Sequence, residues 1–148
     1  MGRYHVPLSE GTQDHPIALY TVGLGGDGRL LEAVGLLGYE GLVIEALGGG
    51  HVLIYMAEPL QTLAGEMPVV LASRTGSGEV LRNTYGFTGS ETDLLSRGLI
   101  SAGMLDGPKV RLLLSLLLRA GRRKKKLPKH SATSSVADPP TVSQTSKT

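Results

Sequence analysis

The segment 17-IALYTVGLGGDGRLLEAV-34 passes from an apolar run, through a glycine-rich turn, into apolar residues at helical spacing. A short β-rich run followed by a turn and a helix is the unit from which parallel sheets are built. Leu30, Leu31, Val34 and Leu37 are spaced for one helical face, and Gly38 is placed to close the helix. The turn Gly23-Leu24-Gly25-Gly26-Asp27-Gly28 is also a formal G-x-G-x-x-G, and Glu45 lies 17 residues beyond Gly28 at the end of the next apolar run. Two readings follow. One is a dinucleotide turn, whose glycines let the backbone approach a pyrophosphate. The other is an ordinary strand-to-helix turn in which Asp27 caps the helix.

Further along, 41–45 and 68–72 are two more short apolar runs, apolar on both faces as covered parallel strands are. A helix is expected from about Leu53 to Ala64, with Pro59 imposing a kink or a late start. The order β-α-β-α-β predicts an α/β fold, a small right-handed parallel sheet with helices on both faces. Beyond Ala72, 80–87 reads as a short extended segment and 89–97 as a helix, with Ser90 as N-cap and Asp93 three residues on. A short strand is expected at 99–102. The last helix opens at Asp106 with Pro108 in its first turn, runs to Ala120 and ends at Gly121. Its nearly all-round leucine content implies burial.

A length of 148 residues suits one domain. The chain has no cysteine, which excludes disulfides and thiolate metal sites and fits a cytoplasmic protein. With five Tyr, one Phe and no Trp, the core must be aliphatic. Residues 1–121 carry 8 basic and 12 acidic side chains and every glycine, whereas 122–148 carry 7 basic and one acidic. The expected division is an N-terminal extension at 1–14, an α/β domain at 15–121 and a basic, Ser/Thr-rich disordered tail at 122–148. The first residues show no signal-peptide apolar region, and 112–118 is too short to span a bilayer, so no membrane partner is expected.

Three further motifs could carry chemistry. Gly48-Gly49-Gly50-His51 follows a buried strand. Its backbone N–H groups could cradle an anion at a helix N-terminus, or its glycines could serve only positive φ and close packing. His51 as a metal ligand is disfavoured, since His5, His15 and His130 show no ligand spacing. Thr75-Gly-Ser77-Gly offers hydroxyl nucleophiles but no nearby His or Lys to act as base, so it reads as a binding or structural loop. The run 122-RRKKK-126 could meet nucleic acid or acidic lipid, but no aromatic interleaves it, and a solvated tail is the expected reading. No cofactor is expected.

The phrases 26-GDGRLLEA-33, 40-EGLVIEALGGGHV-52, 68-PVVLASRTGSGEV-80 and 84-TYGFTGSETDLLSRGLISAGMLDGPKVRLLLSLLL-118 occur here together and in order. In that combination the chain resembles the C-terminal domain of the bacterial-type L-asparaginase/glutaminase family. The resemblance implies a flavodoxin-like α/β domain. It makes the turn at 23–28 an ordinary connection, with no dinucleotide. It places Gly48, Gly49, Gly50 and His51, together with Tyr85, at the rim of an asparagine pocket shared with a neighbouring subunit. The family's nucleophilic threonines lie in T-G-G-T and T-D-T motifs of an N-terminal domain, and neither motif occurs here. The resemblance therefore implies a truncated or detached C-terminal half, inactive alone, that meets L-asparagine only with an N-terminal half or in a homo-oligomer. Leu53 departs from the family, where a proline often follows the His/Asn-Val pair. The rival readings are a nucleotide-binding module using Gly23–Gly28 and an interaction protein acting through its basic tail.

Overall fold

The computed structural model describes residues 14–121. The basic tail and nearly all of the N-terminal extension lie outside the described residues. The elements are β1 (Ile17–Thr21), α1 (Arg29–Leu36), β2 (Gly41–Ala46), α2 (Ala57–Glu66), β3 (Val69–Ser73), α3 (Glu91–Ser96), β4 (Ile100–Ser101) and α4 (Gly107–Arg119). A short 3₁₀ turn, Ile54–Met56, leads into α2. The four strands are parallel and lie in chain order, β1-β2-β3-β4.

The sheet separates two apolar layers. On one side Leu42, Ile44, Val69 and Leu71 pack with Leu31 and Val34 of α1, Leu60 and Leu63 of α2, and Leu94 of α3. On the other, Ile17, Val43, Val70 and Ala72 meet Val110, Leu114 and Leu118 of α4. β2 and β3 are thus covered on both faces, which is why their runs are continuously apolar. β1 is an edge strand and alternates, leaving Leu19 and Thr21 exposed. Gly41 lets α4 come close, because a Cβ there would sit 3.0 Å from both Ile17 and Leu114.

Several expectations change at the level of single residues. Asp27 is not the N-cap of α1. Gly28 is, at φ 73°, while the Asp27 carboxylate accepts the Arg29 N–H at 3.2 Å and pairs with the Arg29 side chain. Leu30 and Leu37 point to solvent, so the buried stripe of α1 is Leu31 and Val34. Pro59 marks a late start, since α2 begins only at Ala57 and Pro59 sits in its first turn, where no N–H bond is lost. Residues 80–87 form no strand. Ser90 caps α3 by accepting the Asp93 N–H at 3.3 Å, but the Asp93 carboxylate reaches past Ser90 to the Gly89 N–H at 2.8 Å. α4 is capped by Asp106, which accepts the Lys109 N–H at 3.0 Å, and it buries one face only, leaving Leu112 exposed. Gly121 closes α4 at φ 70°.

Candidate functional site

β2 ends at Ala46 and the chain folds back on itself at once. The Leu47 and His51 backbones exchange hydrogen bonds of 2.8 Å in each direction, and the Gly50 N–H adds a third to the Leu47 carbonyl at 3.0 Å. So tight a loop requires left-handed backbone, supplied by Gly48 at φ 50° and Gly50 at φ 117°. The surroundings also require glycine. A Cβ on Gly49 would overlap the Leu81 side chain, and one on Gly50 would meet Val80 at 3.0 Å and Glu91 at 3.3 Å. The Leu81 N–H donates to the Gly49 carbonyl at 2.8 Å, and the Ser73 hydroxyl donates to the Gly48 carbonyl at 2.6 Å.

This favours the packing reading of the turn. The N–H groups of Gly50 and His51 are already spent on Leu47, and the next helical turn begins only at Ile54. The turn is therefore not a helix N-terminus. Leu53 holds φ −70°, the value a proline ring would impose, so leucine here keeps a backbone angle that proline would also take.

His51 leaves this turn toward the start of α3. Its ring lies 4.9 Å from that of Tyr85, edge-on at 85°, and 5.3 Å from that of Phe87. Tyr85 and Phe87 are about half exposed, so the trio forms an open aromatic surface and not a sealed cavity. Beneath it lies Glu91, fully buried at the first position of α3. Its Oε1 accepts the backbone N–H groups of Thr84 at 2.8 Å and Tyr85 at 2.9 Å. Its Oε2 lies 3.6 Å from His51 Nδ1, too long for a hydrogen bond, and both atoms are buried without a partner. Burial pushes the Glu91 carboxyl up, but the N–H groups of Tyr85 and Thr84, its own N–H and the nearby His51 outweigh this and hold it below the ordinary carboxylate value. An ionised carboxylate thus sits under the aromatic trio and fixes the loop that carries Tyr85.

The structure brings together Gly48, Gly49, Gly50, His51 and Tyr85, all read from the sequence. Glu91 and Phe87 were not legible. Glu91 lies in an acidic first turn, Ser90-Glu91-Thr92-Asp93, that looks like a solvated helix start. Phe87 is the chain's single phenylalanine, but nothing in its neighbours indicates a ring contact with His51.

The remaining motifs are structural. The Ser73 and Thr75 hydroxyls are tied into the loop, their oxygens 2.8 Å apart and the Thr75 hydroxyl donating to the Ser77 backbone carbonyl at 2.7 Å. In the turn at 23–28, Tyr55 donates its hydroxyl to the Gly26 carbonyl, and Met56 lies 3.2 Å from where a Gly28 Cβ would be. Asp27 places a carboxylate at the N-terminus of α1, where a pyrophosphate would need to sit. Glu45 accepts from the Thr21 hydroxyl at 2.6 Å, and α4 begins against it, since a Cβ on Gly107 would overlap the Glu45 carboxyl. Glu45 is not placed as a ribose ligand. The strands run in chain order, so among the described residues no reversal opens a crevice at the sheet edge. Among them, too, no group of three or more His, Asp or Glu side chains could hold a metal, and no helix is long and apolar enough to cross a membrane.

The profile of the glutaminase/asparaginase C-terminal domain matches residues 17–130. The chain belongs to that family. A probable L-asparaginase of Deinococcus radiodurans is 43% identical over 83 residues, which are 55% of this chain and 24% of that protein. An L-asparaginase of Bacillus licheniformis is 36% identical over 96 residues, which are 64% of this chain and 30% of that protein. This asparaginase-type C-terminal domain thus corresponds to under a third of each relative's length. Every strand and helix described above falls within the matched range.

Proposed function

We propose that the chain serves as the C-terminal part of an L-asparaginase-type amidohydrolase. In this role residues 15–121 supply the rim of an asparagine pocket and a packing surface for a neighbouring subunit or an N-terminal half. The chemistry is the hydrolysis of a side-chain amide with release of ammonia, and the nucleophilic threonine comes from outside residues 1–148. The observation that carries the reading is the family membership, with relatives named L-asparaginase. The geometry supports it. The packed sheet ends in an open, polar-edged aromatic surface at His51 and Tyr85, suited to bordering a pocket completed by another unit. The Ser73 and Thr75 hydroxyls bond each other and the Gly48 and Ser77 carbonyls, with no base among these partners.

The test is ammonia release from L-asparagine by the purified chain, alone and mixed with a separately produced N-terminal asparaginase half. The expected result is silence alone and turnover in the mixture. Turnover by the chain alone at the rate of an intact asparaginase would overturn the external origin of the nucleophile. Silence in the mixture would overturn the complementing role.

A further inference from the structure

The asparaginase reading leaves two features unused, the outward side of α4 and the run 122-RRKKK-126, and they adjoin. α4 packs on β1, β2 and β3 and buries Val110, Leu114 and Leu118 against them. Lys109, Leu112, Leu116 and Arg119 follow one another at steps of three, four and three residues, so they share the stripe on the other side of the helix. There Leu112 is 64% exposed and Leu116 is half-buried. The carboxylates at the two ends of α4 are each paired with its own cations: Asp106 lies 2.5 Å from Lys109, and Asp14 lies 3.3 Å from Arg119. The far side of the sheet has the opposite character, with Glu32 of α1 and Glu58 and Glu66 of α2 exposed.

Beyond Gly121, which closes α4, five basic residues follow without a break. Five residues of chain reach at most about 18 Å, and the 13 residues of α4 span about 20 Å. Covalent length therefore keeps the five charges in the neighbourhood of the leucine stripe, and one flat surface can meet both.

We infer that α4 and the basic run together dock the chain on an anionic lipid surface. Leu112 and Leu116 enter the headgroup layer, and residues 122–126 are drawn to the acidic headgroups. Shallow apolar contact and a polybasic cluster are each weak alone and effective as a pair. α4 is too short to cross a bilayer, so the contact is along its surface, with the carboxylates of α1 and α2 turned away. Two other partners fit less well. Nucleic acid offers phosphates to the basic run but nothing to the leucines, and no aromatic interleaves the run to stack on a base. For a second copy of the chain, a patch of two leucines falls far short of the roughly 1,200 Å² that a stable interface buries. The inference does not rest on the asparaginase reading.

The chain has no tryptophan, so one introduced indole reports its own surroundings. Leu112→Trp places it on α4. Leu30→Trp places it on α1, across the sheet, as the control; the two positions are 64% and 67% exposed, so neither substitution disturbs the core. Each full-length variant is mixed with vesicles of phosphatidylcholine alone or with one-third phosphatidylserine. A blue shift of the Leu112→Trp emission is expected on the anionic vesicles only. It should vanish in about 1 M salt, where screening acts within about 3 Å, and Leu30→Trp should show none. In vesicle cosedimentation, the combined change Arg122→Gln, Arg123→Gln, Lys124→Gln, Lys125→Gln and Lys126→Gln is expected to lower partitioning at least ~100-fold, at about fivefold per charge. Leu112→Gln is expected to lower it about fivefold. Absence of a shift at Leu112→Trp, an equal shift at Leu30→Trp, or equal binding to neutral vesicles overturns the inference. Binding undiminished by Leu112→Gln overturns the role of α4. A single-stranded RNA bound at lower concentration than the anionic vesicles assigns the run to nucleic acid, and a dimer in sedimentation velocity that Leu112→Gln dissociates assigns the stripe to a second copy; either result overturns the lipid surface as partner.

Discussion

Two glycine-rich turns leave the carboxyl ends of neighbouring strands, 23–28 after β1 and 48–51 after β2, and the fold uses them in opposite ways. In the first, a Cβ on Gly23 or Gly25 would meet nothing within 4 Å, and the turn leads directly into a helix. In the second, Cβ atoms on Gly49 and Gly50 would strike Leu81, Val80 and Glu91, and the turn bends back before any helix begins. The two are alike in sequence, each a glycine-rich turn after an apolar strand. What separates them is which segments are packed over them. Residues 80–91 cover the second turn and add His51's partners to it, whereas the first is held chiefly by Tyr55 and Met56.

The contrast should appear first at Gly50. Gly50→Ala is expected to destabilise the domain by about 3 kcal/mol, because it combines a positive φ with contacts on two sides. A loss below about 1 kcal/mol in chemical denaturation would mean that the turn relaxes freely and is no scaffold for His51. A smaller effect is expected from acid. Glu91 has a folded-state pKa below its ordinary 4.5, so its stabilisation is complete above that pH and is lost as the pH falls below it. Denaturation midpoints measured from pH 7 downward should therefore fall less steeply for Glu91→Gln than for the wild-type chain. Equal slopes would show that the buried carboxylate is not ionised. Gly25→Ala comes next, at about 1 kcal/mol, since it carries a positive φ of 78° but no contacts. A cost matching that of Gly50→Ala would erase the distinction between the turns. The smallest effect is none: equilibrium dialysis with NAD, NADP, FMN and ATP at high micromolar concentration should leave no ligand retained through Gly23–Gly28. Retention abolished by blocking that turn would reverse the assignment of the turn as a plain connection.

The strands were legible to within a residue, because β2 and β3 are buried on both faces and their runs are unbroken. Pro59 and Ser90 were legible because a first-turn proline and an N-cap serine act within a single turn of chain. Asp27 misled, since a carboxylate before a helix is an N-cap by habit, and here a left-handed Gly28 takes that position and displaces it by one residue. The leucines of α4 misled for a different reason. Composition counts side chains all round the helix, but the sheet covers one stripe, Val110, Leu114 and Leu118. Gly48 to His51 stood out locally as a glycine turn after a buried strand, whereas Tyr85 entered only through the family phrases. Glu91 was hidden because its burial is made by the segment 80–85 and the turn at 48–51, neither of which a helix-start motif can report.

Strands laid side by side in the order of synthesis let most of the sheet form from near neighbours, but the second apolar layer does not share this economy. It joins the first strand to the last helix, and the Arg111 side chain reaches the Ile17 carbonyl across 94 residues at 3.0 Å. At roughly 5–20 residues per second, Leu118 follows Ile17 out of the ribosome by about 5–20 s. Until α4 follows, Ile17, Val43, Val70 and Ala72, each as it emerges, have no cover on their side of the sheet. A nascent chain of this domain therefore exposes one defined, water-avoiding face for a fixed time, and that face is where a ribosome-bound chaperone would take hold and a second unfinished copy would stick.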